Sequence, residues 1–234
     1  MSKYLGLIPA RGGSVRVKNK NILPLAGRPL IDYTIKAALG SKLLDRVIVS
    51  TDSEEIAEVA KTSGAEVPFL RPGEIATKDA TELAFHQHAI EWLAGNEGYR
   101  PDYIVNLYPT SPFRTPETID RAIRLLNENP EADGLRSVIK CSEHPYKMWR
   151  RDGKYLKYFV DDPDPNVHTW SYHLLPEVFI QNASIYIIKT DVVEKQKTTI
   201  GGRMLFFEMN DRESVDINSQ LDFEFAEFLL NRAE

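Results

Sequence analysis

Five short apolar runs alternate with segments of helical periodicity through the first 139 residues, and this alternation constrains the fold more than any other feature. Tyr4 to Ile8 reads as a buried strand ended by Pro9. Further strands are expected at 46–50, 67–70, 103–108 and 134–139. Helices are expected between them. The first, 29–39, carries Leu30, Ile31, Ile35, Ala38 and Leu39 at helical spacing, with Pro29 suited to its opening turn. The second is capped by Asp52 or Ser53 and ended by Gly64. The third spans 77–93, and the fourth runs from Thr115-Pro116-Glu117 to about Asn127. This order predicts an α/β fold in which helices cover both faces of a mostly parallel sheet. Ligands bind such sheets at the C-terminal ends of the strands. The loop after Ile8, Asp52, Arg71 and the turn from Pro109 to Arg114 should therefore gather on one edge.

The pattern changes at 144–180, where Tyr146, Trp149, Tyr155, Tyr158, Phe159, Trp170 and Tyr172 lie among prolines, aspartates and histidines. That stretch is expected to be an excursion of hairpins and loops from one domain spanning 1–234. Strands at 184–188 and 203–207 and an amphipathic helix at 220–230 follow. A hydrophobic fraction of 42% supports a sizeable core. No apolar run reaches the roughly 18–20 residues of a membrane span, and the N-terminal apolar stretch is too short for a signal peptide. Cys141 is the single cysteine, so no internal disulfide forms and a cysteine-based zinc site is not expected. A cytoplasmic location follows, with no membrane partner and Cys141 as a small buried hydrophobe. His86 and His88 are two apart on a helix and face apart, so they do not pair as metal ligands. His144, His168 and His173 fall in the excursion, while Trp92, Phe223, Phe225 and Phe228 read as core or interface aromatics.

A net charge of −5 argues against nucleic acid as a partner. Its distribution is more telling. The first 31 residues hold Lys3, Arg11, Arg16, Lys18, Lys20 and Arg28 and no acid. Residues 208–227 hold Glu208, Asp211, Glu213, Asp216, Asp222, Glu224 and Glu227 against Arg212 alone. A basic loop suits a small polyanion and an acidic segment suits a hard cation; two solvated charged faces would look the same. In the loop from Ile8 to Asn21, Gly12 and Gly13 let backbone N–H groups approach an anion, Ser14 adds a hydroxyl, and Arg11 and Lys20 bracket the turn. It is neither a Walker A loop nor GxGxxG.

This loop resembles that of the acylneuraminate cytidylyltransferases, the CMP-sialic acid synthetase family. The resemblance extends in order through Val49-Ser50-Thr51-Asp52-Ser53, Phe69-Leu70-Arg71-Pro72, Leu107-Tyr108-Pro109-Thr110-Ser111-Pro112-Phe113-Arg114-Thr115, Asn182-Ala183-Ser184-Ile185-Tyr186 and Ser214-Val215-Asp216-Ile217-Asn218. It implies a Rossmann-like three-layer fold and Mg²⁺-dependent transfer of CMP from CTP to the anomeric hydroxyl of an acidic sugar (sialic, legionaminic or pseudaminic type). It also implies a homodimer in which the 144–180 excursion covers the partner's site. Carried over by position, Ala10, Arg11, Gly12, Gly13, Ser14, Lys20, Asn21 and Arg71 would hold CTP, with Arg71 on the cytosine. Tyr108, Thr110, Ser111, Tyr172, Gln181 and Asn182 would meet the sugar. Asp216 and Asn218 would hold the metal, with Arg11, Lys20 and Asp216 as the catalytic groups. The alternatives are a surface ion pair for Arg71 and a helix N-terminal acid for Asp216.

The sequence departs from the family at Val15, where a lysine is usual; at Tyr108, in place of a sugar-contacting glutamine; at Tyr172 and His173, the nearest equivalents of a carboxylate-binding arginine; and at Asn218, in place of a second metal aspartate. No general base stands out. Transfer of another nucleotide, a different acceptor, or a non-catalytic nucleotide-binding module are the rival readings.

Overall fold

In the computed structural model, which describes residues 2–13, 17 and 19–232, the central sheet has six strands. The chain runs β1 (Tyr4–Pro9), a small hairpin β2 (Pro24–Leu25) and β3 (Arg28–Pro29), α1 (Leu30–Gly40), β4 (Arg46–Ser50), α2 (Glu54–Thr62), α3 (Glu82–Glu97), β5 (Tyr103–Leu107), α4 (Pro116–Asn127) and β6 (Gly134–Lys140). The excursion hairpin β7 (Trp149–Asp152) and β8 (Tyr155–Tyr158) precedes β9 (Phe179–Lys189), β10 (Met204–Glu208) and α5 (Gln220–Asn231). The sheet order is β10-β6-β9-β5-β1-β4, with β9 antiparallel to both neighbours and the other pairings parallel. The expected mostly parallel α/β architecture is therefore present.

Alternation along the strands builds the layers. Ile8, Val47, Val49, Val105, Leu107 and Ile187 pack against Ile31 and Ile35 of α1, Ile56 of α2 and Ile119 and Ile123 of α4. Leu5, Leu7, Ile48, Ile104 and Ile188 pack on the other face against Phe85, Ala89, Ile90 and Leu93 of α3. Phe223 and Ala226 of α5 join Leu25, Leu30 and Ile217 in a smaller cluster that ties the C-terminal helix to the β2–β3 hairpin. Phe225 and Phe228 of the same helix stay about half exposed.

Several boundaries differ from those the sequence suggests. The expected strand at 67–70 is reduced to a single bridge, Ile48 with Glu66, because Pro68 has no N–H to extend the ladder. Ser53, rather than Asp52, caps α2 by accepting from the Ile56 N–H. The helix expected at 77–93 begins instead at Glu82. The Thr81 hydroxyl caps it and Gly98, at φ 61°, ends it, so 77–80 are left as loop. Cys141 is only partly buried, since it follows the exposed end of β6, and its Sγ donates to the Glu143 carbonyl.

Pairing of β6 with β9 shifts register between Arg136 and Val138, which lie opposite Tyr186 and Gln181. The extra residues of β9 form a bulge in which Ala183 takes φ 51°. The Ser137 hydroxyl fills the gap, donating to Asn182 Oδ1 and accepting from the Ile185 N–H. Bulges re-aim side chains, and this one lies beside the open edge that receives the ends of β1 and β5.

Candidate active site

The expected edge forms. Lys20 Nζ donates to the Ile217 carbonyl at 2.6 Å, and the Ile217 N–H donates to the Thr110 carbonyl at 2.9 Å. These bonds pin together the first loop, the turn after β5 and the segment holding Asp216 and Asn218. Between them lies a pocket of about 470 Å³ lined by Arg11, Lys20, Asn21, Arg71, Tyr108, Thr110 and Asn218. Thr77, Lys78, Ala80, Glu82 and Phe85, from the start of α3 and the loop before it, line it too. Four cations (Arg11, Lys20, Arg71 and Lys78) against one carboxylate make this a site for a polyanion.

Neighbouring groups fix the Arg11 backbone and the Arg71 side chain. Asn21 is buried and its Nδ2 donates to the Arg11 carbonyl at 3.1 Å, which fixes the backbone that carries Arg11. Arg71 is 5% exposed, donates to the Ser50 hydroxyl and carbonyl, and lies 4.9 Å from the Phe85 ring centroid. Burial pulls its pKa down to about 10, which nearby Asp52 partly opposes and Arg11 reinforces. The guanidinium remains charged at neutral pH and is set for a ligand rather than for a surface ion pair.

Other predicted residues sit differently. Ala10 is fully buried and its N–H donates to the Ser50 carbonyl, so it supports the loop from beneath. The Gly12 N–H is taken by Asp52 Oδ1 at 2.8 Å, and a Cβ there would sit in tight contact with Ser53 Cβ, at 3.1 Å. Gly13 is exposed beside Arg11. Ser14, Val15 and Arg16 lie outside the described residues. Ser111 and Asn182, expected to meet a sugar, do not reach the pocket. Ser111 is 1% exposed and donates to the Ala183 carbonyl, and the Asn182 amide lies between Ser137 and Ser214. Both fix the bulge. Tyr172 is exposed on a short turn of the excursion and lines neither hollow at this edge. His144 and His168 hold the excursion together. The first bonds the Pro176 carbonyl; the second bonds the Tyr146 carbonyl and stacks on Tyr158.

Asn218 lines the pocket, and Asp216 bonds to it from outside that lining. Asn218 Nδ2 donates to Asp216 Oδ2 at 2.5 Å, and Asp216 Oδ1 is buried with no hydrogen-bond partner among the described residues. A buried carboxylate oxygen without a donor beside an amide carbonyl fits Mg²⁺, which takes one or two protein oxygens and completes its shell with phosphate and water. No cluster of three or more His, Cys, Asp or Glu that could hold a metal is present among the described residues. The remaining C-terminal acids have other duties. Asp222 caps α5, and buried Glu213 accepts from the Thr118 hydroxyl and from Asn210 Nδ2.

A second hollow of about 310 Å³ adjoins the first, lined by Glu82, Tyr108, Arg136, Gln181, Ala183, Tyr186 and Ile200. Glu82 and Tyr108 border both. The Tyr108 hydroxyl donates to Glu82 Oε1 at 2.5 Å, while Glu82 Oε2 accepts from Arg136 at 3.1 Å and from the Thr199 hydroxyl at 3.1 Å. Burial pushes the Glu82 pKa up, but Arg136 and Tyr108 together outweigh it and hold the carboxyl below its usual range. Burial and Glu82 push the Tyr108 phenol up, so it stays a donor. One turn along α3, His86 is fully enclosed, and burial drives its pKa down to about 4. Glu82 and Arg136 were missed by sequence reasoning. The available signal was an arginine inside a β-strand, Gly134-Leu135-Arg136-Ser137-Val138.

With this geometry in view, the likenesses are informative. The family model Cytidylyltransferase matches residues 5–226. The chain belongs to the cytidylyltransferase family. Post-translational flagellin modification protein B of Campylobacter coli is 32% identical over 98% of this chain and 96% of its own length. CMP-N,N'-diacetyllegionaminic acid synthase of Legionella pneumophila is 33% identical over 97% and 96%. Among solved structures, CMP:2-keto-3-deoxy-manno-octonic acid synthetase complexed with CTP matches with a TM-score of 0.71 over 100% of both chains. At 16% identity it shows that the cytidylyltransferase shares that fold. No described helix is long and apolar enough to cross a membrane.

Proposed function

We propose that this cytidylyltransferase transfers CMP from CTP to the anomeric hydroxyl of an acidic nonulosonic-type sugar and releases pyrophosphate. The observation that carries the reading is the pocket in which Arg11, Lys20, Arg71 and Lys78 converge beside Asp216 and Asn218, in a chain whose family is that of cytidylyltransferases. Arg11 and Lys20 neutralise the triphosphate and the charge that develops on the departing pyrophosphate. Arg71, anchored on Ser50, reads the base from the end of β4. The sugar hydroxyl attacks the α-phosphorus in line with the leaving group, and holding both reactants at the junction of the two hollows supplies the proximity this displacement needs. Asp216 Oδ1 and the Asn218 carbonyl would hold Mg²⁺, which when bound neutralises phosphate charge and lowers the pKa of the attacking hydroxyl.

The CTP half is tested by calorimetric titration in the presence of Mg²⁺. CTP should bind at least about tenfold tighter than UTP or GTP, and Arg71→Ala should weaken CTP binding about tenfold to a hundredfold, the range for losing one charge-assisted hydrogen bond. Equal affinity for GTP would transfer the reading to another nucleotide.

The active unit is proposed to be a homodimer in the cytoplasm. Its support is the excursion, where Trp149, Tyr155, Leu156, Phe159 and Leu174 are 50–68% exposed. Such a dimer would also give Tyr172 a site to line, in the second subunit. Sedimentation equilibrium should give twice the mass of 26.6 kDa, and a monomer at micromolar concentration would refute the dimer.

A further inference from the structure

Asn106, Tyr186 and Arg136 are direct cross-strand partners on β5, β9 and β6, so they form a polar row on the sheet face that α3 covers. The start of α3 delivers Glu82 onto this row. The Arg136 guanidinium lies 3.9 Å from the Tyr186 ring centroid, and the Tyr186 hydroxyl is fixed by the Ala183 N–H at 3.0 Å. Every hydrogen bond that Arg136 makes among the described residues leaves from Nη2, to Glu82 and Thr199. Its Nε and Nη1 make none, and the side chain, 14% exposed, borders the second hollow.

We infer that Arg136 is the specificity residue that receives the acceptor's carboxylate in the second hollow, with Glu82 and Tyr186 as its positioning residues. A guanidinium stacked on an aromatic ring and bonded at one nitrogen is a preorganised fork, and its open N–H groups match the two oxygens of a carboxylate. Among the described residues, Arg136 is the only cation lining that hollow. Glu82 does not compete for the acceptor's partners, because Tyr108, Arg136 and Thr199 already occupy its oxygens. It also stands between the hollows, where its charge keeps the triphosphate on the Arg11 side and leaves Arg136 for a single carboxylate. Gln181 adds an amide at the same rim.

The inference rests on the proposed transfer to a sugar acid. Pyrophosphate release is measured with CTP and Mg²⁺ saturating and the nonulosonic acid varied, for wild type, Arg136→Lys and Arg136→Gln, with the acid and its methyl ester as acceptors. Wild type should prefer the acid over the ester by about a hundredfold in kcat/KM. Both variants should raise KM for the acid at least tenfold and lose most of that preference, while KM for CTP and the thermal shift on adding CTP stay within about twofold. Arg136→Lys keeps the charge without the fork, so it stands as the test where Arg136→Gln folds poorly. Acid and ester used equally by wild type, or variants that keep the wild-type preference, overturn the role of Arg136. CTP binding without turnover of any acid sinks the transfer reading itself, and the role of Arg136 with it.

Discussion

Replacing Asp216 with alanine should lower kcat by about 10²- to 10³-fold at saturating CTP, with CTP binding reduced far less. Asp216 brings the carboxylate charge of the proposed metal site, and its buried Oδ1 has no donor among the described residues. Asn218, at the pocket's edge, provides a neutral carbonyl and stabilises Asp216 Oδ2 through its amide. The effect should therefore fall on the chemical step and on Mg²⁺ dependence rather than on nucleotide affinity. A companion variant reads the metal without turnover. Asn218→Asp places two carboxylates side by side, so it should lower stability without metal and increase the thermal shift produced by Mg²⁺. An Asp216→Ala protein with wild-type kcat, or an Asn218→Asp protein with an unchanged response to Mg²⁺, would remove the metal from this segment.

The second large effect concerns stability. Arg114→Leu should cost about 4 kcal/mol of unfolding free energy, measured by urea denaturation. Arg114 is 3% exposed, and its guanidinium donates to the Ser184 carbonyl at 2.5 Å, to the Thr34 hydroxyl at 2.8 Å and to the Tyr108 carbonyl at 3.1 Å. It thus joins the turn after β5, helix α1 and the β9 bulge. Removing it leaves buried oxygens without donors, each costing about 1–3 kcal/mol. Burial pulls the Arg114 pKa down to about 9, with no carboxylate to oppose it, so the arginine is kept for its geometry rather than for an ion pair. A loss below about 1 kcal/mol would show that water replaces those bonds.

The frame was legible because it is written locally. Apolar runs ended by Pro9 and Ser50, the Ser53 cap and the Pro116 helix start each depend on a few neighbouring residues. The anion loop was legible for the same reason, and Arg11, Lys20, Asn21, Arg71 and Asn218 do meet at one pocket. Motif position did not separate residues that face the ligand from residues that hold the motif in place. Ser111 and Arg114 belong to the second group because the β9 bulge, far along the chain, takes their hydrogen bonds, and Asn182 belongs to it as part of that bulge. Helical periodicity alone extends the third helix back to Thr77, whereas the Thr81 cap starts α3 at Glu82. That start puts Glu82 beside Tyr108 and Arg136, a cluster set by cross-strand register, which sequence periodicity does not encode.

The most direct test of the central claim is a product analysis. Purified protein is incubated with CTP, Mg²⁺ and sialic, legionaminic or pseudaminic acid, and the products are followed by mass spectrometry. One of these acids should give a CMP-sugar and pyrophosphate in equal amounts. CTP bound and unchanged with every acid, or phosphate and CDP in place of pyrophosphate and a CMP-sugar, would contradict the account.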